Sequence, residues 1–111
     1  MNAVATQVLF HREPRGFPTT PDFEVVEAAL PALGPNQFLV KGLYLSVDPY
    51  MRMLMGGGWK FRGQSMTPGQ VMVGRVLGEV VESNNADFEA GQHLVAGLGW
   101  QTHAATTRAT I

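Results

Sequence analysis

Glycine and proline, thirteen and seven of them in 111 residues, cut this chain into short segments rich in Val, Leu and Phe. Neither residue sits easily inside a helix, so the pattern favours many strands joined by turns over a bundle of helices. The chain is read as mainly β. Its length makes one ordinary domain, able to remove somewhat more than about 60% of its unfolded surface from water without staples, and no second domain fits. A hydrophobic fraction of 45% against 15% charged belongs to a globular chain rather than a disordered one.

The segments can be placed one by one. Thr6 to His11 alternates through Val8 and Phe10 and stops before Pro14, and Phe23 to Glu27 carries a β-branched pair between prolines. Gln37 to Val47 is apolar at nearly every position, as expected of a strand covered on both faces, with Tyr44 inside it. Val71 to Ser83 interleaves large residues with Gly74 and Gly78, the pattern of a bent or bulged strand that turns a barrel corner. Gln92 to Ala96 and Trp100 to Thr106 supply two further strands, set off by turns at Asn84 to Asp87 and Phe88 to Gly91. One helical turn is expected after the core strand, with Asp48 as N-cap and Pro49 at the first helical position. Between Gly56 and Pro68, three consecutive glycines precede Trp59 and Phe61, a loop that either covers something or packs its aromatics down locally.

Several functions are disfavoured. The formal charge is −1 and the eight Lys and Arg are scattered, so no basic stripe is offered to nucleic acid. Without cysteine there are no disulfides, thiolate zinc sites or thiol nucleophiles, which suits a reducing cytosol. The N-terminus has no basic n-region, and no window approaches the roughly 18 apolar residues of a membrane span, so a cytoplasmic protein with no membrane partner is expected. The triple glycine at Gly56 to Gly58 lacks the spacing of a phosphate cradle, and no strand-turn-helix unit for a dinucleotide is visible. No cofactor is expected on this chain. His11, His93 and His103 form no short-spaced pair, so they read as surface or strand histidines and no metal site is expected. Asp48 and Glu79 are too far apart in sequence to be named an acid/base dyad.

Tyr50 is the residue that chemistry nominates. It projects from a turn at a strand end, and a phenol can donate to a carbonyl oxygen as negative charge develops there. The competing reading is a half-buried turn tyrosine that only packs.

Four ordered segments carry a resemblance. Leu45-Ser46-Val47-Asp48-Pro49-Tyr50-Met51-Arg52, Val80-Val81-Glu82-Ser83-Asn84, Phe88-Glu89-Ala90-Gly91 and Gly99-Trp100-Gln101 resemble the N-terminal signatures of the prostaglandin reductase, alkenal/one oxidoreductase and curcumin reductase family, within the zinc-independent medium-chain dehydrogenase/reductases. The resemblance implies a GroES-like, partly open β-barrel over residues 1–111, the substrate-side domain, with a Rossmann cofactor domain absent from this chain. It implies NADPH for the complete enzyme and hydride transfer to the β-carbon of an α,β-unsaturated ketone or aldehyde. Tyr50, Met51, Leu54 and Trp59 are then the expected substrate-binding residues, with Tyr50 as carbonyl donor. Ser46 falls where zinc-dependent relatives carry a cysteine ligand and Gly74 about where they carry a histidine. Met53-Leu54-Met55-Gly56 and Gln92-His93 depart from the family pattern. Alone, such a chain should be inactive.

A different class of reading is a stand-alone binding module that self-associates through the face a Rossmann domain would cover, near Tyr50, Met51, Leu54 and Trp59. A GroES-type co-chaperonin is a weaker third, since the Asp48 to Arg52 motif has no purpose there.

Overall fold

The computed structural model describes residues 4–56 and 65–109. Strands β1 (Val4–Phe10) and β2 (Phe23–Ala29) pair antiparallel, Val4 opposite Ala29 and Phe10 opposite Phe23. A second antiparallel sheet has the order β5-β4-β3-β6, formed by β3 (Phe38–Leu45), β4 (Val76–Ser83), β5 (His93–Ala96) and β6 (His103–Thr106). The single α-helix among the described residues, α1 (Tyr50–Leu54), follows β3. The chain is mainly β, as its punctuation requires.

β1 ties the two sheets together. Its second edge takes backbone hydrogen bonds from both neighbouring crossings: Val8 N donates to Trp100 O at 2.8 Å, Met72 N to Val8 O at 2.9 Å and Thr102 N to Thr6 O at 2.9 Å. The sheets do not close into a complete barrel. The segment expected as one bent strand from Val71 does bend: Val71 bridges to Leu9, and regular pairing begins only at Val76. Gly74 sits in the corner, its carbonyl accepting from Gly99 N at 3.0 Å. Further along, a side chain on Gly78 would overlap Val40 and lie 2.7 Å from the Lys41 carbonyl, so glycine is what lets β3 and β4 approach.

The expectation that β3 is covered on both faces holds for only half of it. Phe38, Leu39 and Val40 are buried, and Phe38 and Val40 pack with Val80 and Leu94 while Phe38 stacks on Phe88 at 4.1 Å. Tyr44 is 73% exposed, and Leu43 and Leu45 are exposed beside it. The cause is topological. Pairing of β3 with β6 ends at Lys41 opposite His103, Gly42 N makes a last bond to Thr102 O at 2.7 Å, and residues 99–102 then leave for β1. A bulge between Gly42 and Tyr44 finishes the change, placing Tyr44 opposite Leu77 on the outer face.

α1 also differs in detail. Pro49 takes the cap position with helical dihedrals and no side-chain cap bond forms. The Asp48 carboxylate, expected to cap, instead accepts from the Ser46 hydroxyl at 2.8 Å. The helix buries Met51 and Leu54, and Met51 joins Phe10, Met55 and Met72 in the second core cluster.

Candidate functional site

The turn between β3 and α1 is assembled from local bonds. Ser46 N donates to Arg75 O at 2.9 Å, which ties the end of β3 to the corner before β4. Met51 N then reaches Asp48 O and Arg52 N reaches Pro49 O, both at 3.1 Å, so the chain turns tightly and delivers Tyr50 as the first helical residue. Arg52 fixes the far end. Its guanidinium donates to three backbone carbonyls, those of Gly16 at 3.1 Å, Gly56 at 3.3 Å and Pro14 at 3.5 Å. No carboxylate takes part in those three contacts, and the helix is strapped to two loops at once.

Tyr50 is half-buried against the Phe10, Met51, Met55 and Met72 cluster and lines a cavity of about 250 Å³ with Val73, Gly74, Arg75, Leu98 and Gly99. Next to it lies an apolar cleft, also about 250 Å³, between β1 and the open end of β3, where Val8, Leu43, Leu45, Trp100 and Thr102 meet. Gly99 borders both spaces. Trp100 stacks on Phe23 with ring centroids 5.6 Å apart, and its indole faces Gly74.

Of the four expected substrate-binding residues, Tyr50 alone is found lining a cavity described here. Met51 is 4% and Leu54 7% exposed, so the period of the helix turns both inward and they support the turn from beneath. Trp59 lies outside the described residues. Sequence reasoning did not single out Trp100 for its chemistry. The indole is a donor only, and what surrounds it depends on Leu45 and Gly74, residues far from it in sequence.

The histidines are dispersed on strands and loops. His93 Nε2 is 3.7 Å from the Glu79 carboxylate, and His103 Nδ1 is 3.0 Å from the Thr102 hydroxyl. Burial, and then the Lys41 charge paired beside it, hold the His103 imidazole below its ordinary value of 6.5. Among the described residues no three His, Cys, Asp or Glu gather where they could hold a metal ion. No helix of the described residues is long and apolar enough to cross a membrane.

A family model described as the N-terminal domain of oxidoreductase matches residues 6–111. The chain belongs to that family. As an oxidoreductase N-terminal domain it is 39% identical over 89 residues to prostaglandin reductase 1 of Bos taurus, a match covering 80% of this chain and 25% of that protein. It is 36% identical over 90 residues to the NADPH-dependent curcumin reductase of Escherichia coli, covering 81% of this chain and 26% of that one. In structure it is similar to CurA from Vibrio vulnificus, with a TM-score of 0.90 at 32% identity over 96% of this chain and 31% of CurA. CurA has also been solved in complex with NADPH, and that structure matches with a TM-score of 0.87. The likeness in fold bears out the GroES-like, partly open architecture expected from the sequence. This chain spans about a quarter to a third of the length of these relatives.

Proposed function

We propose that this chain is the substrate-side domain of an NADPH-dependent oxidoreductase that reduces the C=C bond of α,β-unsaturated ketones or aldehydes, and that it is inactive alone. The reading is carried by the position of Tyr50, at the end of the core strand and on the wall of a cavity beside an apolar cleft. Relatives named for NADPH-dependent curcumin reduction and for alkenal reduction support it. In this reading NADPH is held by the cofactor domain and not by this chain. A Rossmann domain, covalent or separate, is the partner this reading requires, in the cytoplasm. The reading is zinc-independent, in keeping with the family resemblance, which implies Ser46 at the position of a zinc-ligating cysteine and Gly74 at about that of a histidine.

When an enone is reduced, hydride adds to the β-carbon and negative charge develops on the carbonyl oxygen before a proton reaches the α-carbon. Tyr50 is the group proposed to donate a hydrogen bond to that oxygen, and the apolar cleft would keep competing water away. The test joins this chain to the cofactor portion of the Escherichia coli curcumin reductase and measures enone reduction. Tyr50→Phe should lower kcat by about 10- to 1,000-fold, the upper part being typical of one oxyanion donor. An unchanged kcat with chemistry rate-limiting removes Tyr50 from the mechanism.

A second reading, a self-associating module without activity, is favoured by the exposed apolar run from Leu43 to Val47. An active fusion protein decides against it.

A further inference from the structure

The Trp100 indole N–H is buried and has no hydrogen-bond partner among the described residues. Buried donors are nearly always satisfied, so one left open beside a cavity marks a place where an acceptor is missing. Its surroundings define the direction from which an acceptor could come. A Cβ built on Gly74 would lie 3.1 Å from Nε1 and 2.9 Å from Leu45 Cδ1, so the indole nitrogen is covered on that side by backbone without a side chain and by the tip of one leucine. The indole itself cannot swing away easily: it stacks on Phe23, and its backbone is bonded on both sides, Trp100 N to Met72 O and Val8 N to Trp100 O, each at 2.8 Å. Leu45 is different, being 38% exposed at the end of β3 where pairing with β6 has stopped. A rotation of that side chain opens Nε1 to the cleft.

The cleft's chemistry limits what can enter. It is lined chiefly by apolar atoms of Val8, Leu43, Leu45 and Trp100, and among the described residues no charged side chain is on its walls. A compound with a compact apolar body and one acceptor oxygen matches such a site, because few polar groups fix orientation while the apolar walls supply affinity.

We propose that this cleft binds a small apolar carbonyl compound whose oxygen accepts the Trp100 Nε1–H hydrogen bond after Leu45 turns aside. Trp100 is thereby a ligand-binding donor distinct from Tyr50, which lines the neighbouring cavity. The choice of an enone as ligand rests on the proposed function; the donor itself rests on the stranded N–H.

The experiment uses the 15N-labelled chain, whose two tryptophans give two indole N–H resonances, that of Trp100 identified by its loss in Trp100→Phe. The chain is titrated with benzylideneacetone, an aryl enone, and in parallel with butylbenzene, which has the apolar body and no oxygen. The expected result is a saturable downfield shift of the Trp100 indole proton with the enone and none with the hydrocarbon. Trp100→Phe, which keeps a ring against Phe23, should bind the enone about 10-fold more weakly, the size of one net hydrogen bond. Gly74→Ala, which narrows the approach to Nε1, should weaken it as well. If the enone moves backbone amides around Val73 and Leu98 but leaves the indole resonance in place, Trp100 is not the donor and the proposed function stands with Tyr50. An equal indole shift with butylbenzene also overturns the hydrogen bond. If no resonance responds saturably to the enone, this inference falls, while the substrate-side reading is decided by the activity of the fusion protein.

Discussion

Asp22 is the buried charged side chain among the described residues, 3% exposed just before β2, and its partners explain how burial is tolerated. Thr19 donates twice to its carboxylate, from N at 2.8 Å and Oγ1 at 3.2 Å, and Arg12 Nε donates at 3.1 Å. The Thr19 backbone N–H lowers its pKa from the ordinary 3.8 most strongly; burial opposes this, and the Arg12 and Thr19 side chains add to the lowering. A carboxyl with a folded pKa below its unfolded one stabilises the fold above the unfolded value, and that contribution is lost as pH falls through the folded value. Asp22→Asn should therefore lower the urea midpoint near neutrality, and the gap to the unmodified chain should close well below pH 3.8. A gap of constant size across that range would mean that the asparagine costs stability through packing alone.

Gly78 carries the corresponding argument for a pair of strands. A methyl group there meets Val40 and the Lys41 carbonyl, so Gly78→Ala should force β3 and β4 apart and destabilise by about 1–3 kcal/mol. Gly97, with nothing within 4 Å of a built Cβ, is the control, and Gly97→Ala should leave the denaturation midpoint nearly unchanged. Equal effects of the two substitutions would remove the close approach as the reason for glycine in β4. The strands themselves were legible because alternation and glycine placement are local signals; β1, β2 and β5 begin and end within a few residues of where the sequence placed them. What was not legible depends on partners. Tyr44 lies in an apolar run and yet faces out, because β6 is too short to follow β3 to its end. Asp48 has the chemistry of a cap and spends it on Ser46, which sequence alone could not rank above the helix N-terminus. Tyr50 follows the end of β3 by a short turn, as the first residue of α1, whereas the stranded indole of Trp100 emerges only once Leu45, Gly74 and Phe23 are brought around it.

At the scale of the molecule, the apolar surface that sequence reasoning assigned to Tyr50, Met51, Leu54 and Trp59 is found elsewhere among the described residues: Leu43, Tyr44, Leu45, Val47 and Leu77 are exposed, while Met51 and Leu54 are inside. Such a patch favours association when nothing covers it. Sedimentation should reveal concentration-dependent self-association, and Tyr44→Lys combined with Leu77→Lys should weaken it without changing the fold; a strict monomer at high concentration contradicts this. The wiring of β1 and β3 also dictates an order of events on the ribosome. β1 and β2 can zip once residue 29 has emerged, but both neighbours of β3 and the second edge of β1 come from residues 69–106. At the usual pace of synthesis β4 is complete roughly 40 residues after β3, about 2–8 s later, and β6 roughly 60 residues after it, about 3–12 s later, so the edge of β3 that β6 covers is the last to find its partner. The chain depends on its last strands to hide its first ones, so a ribosome stalled before Trp100 would release a polypeptide with two open strand edges, the form most prone to be captured by chaperones or to aggregate.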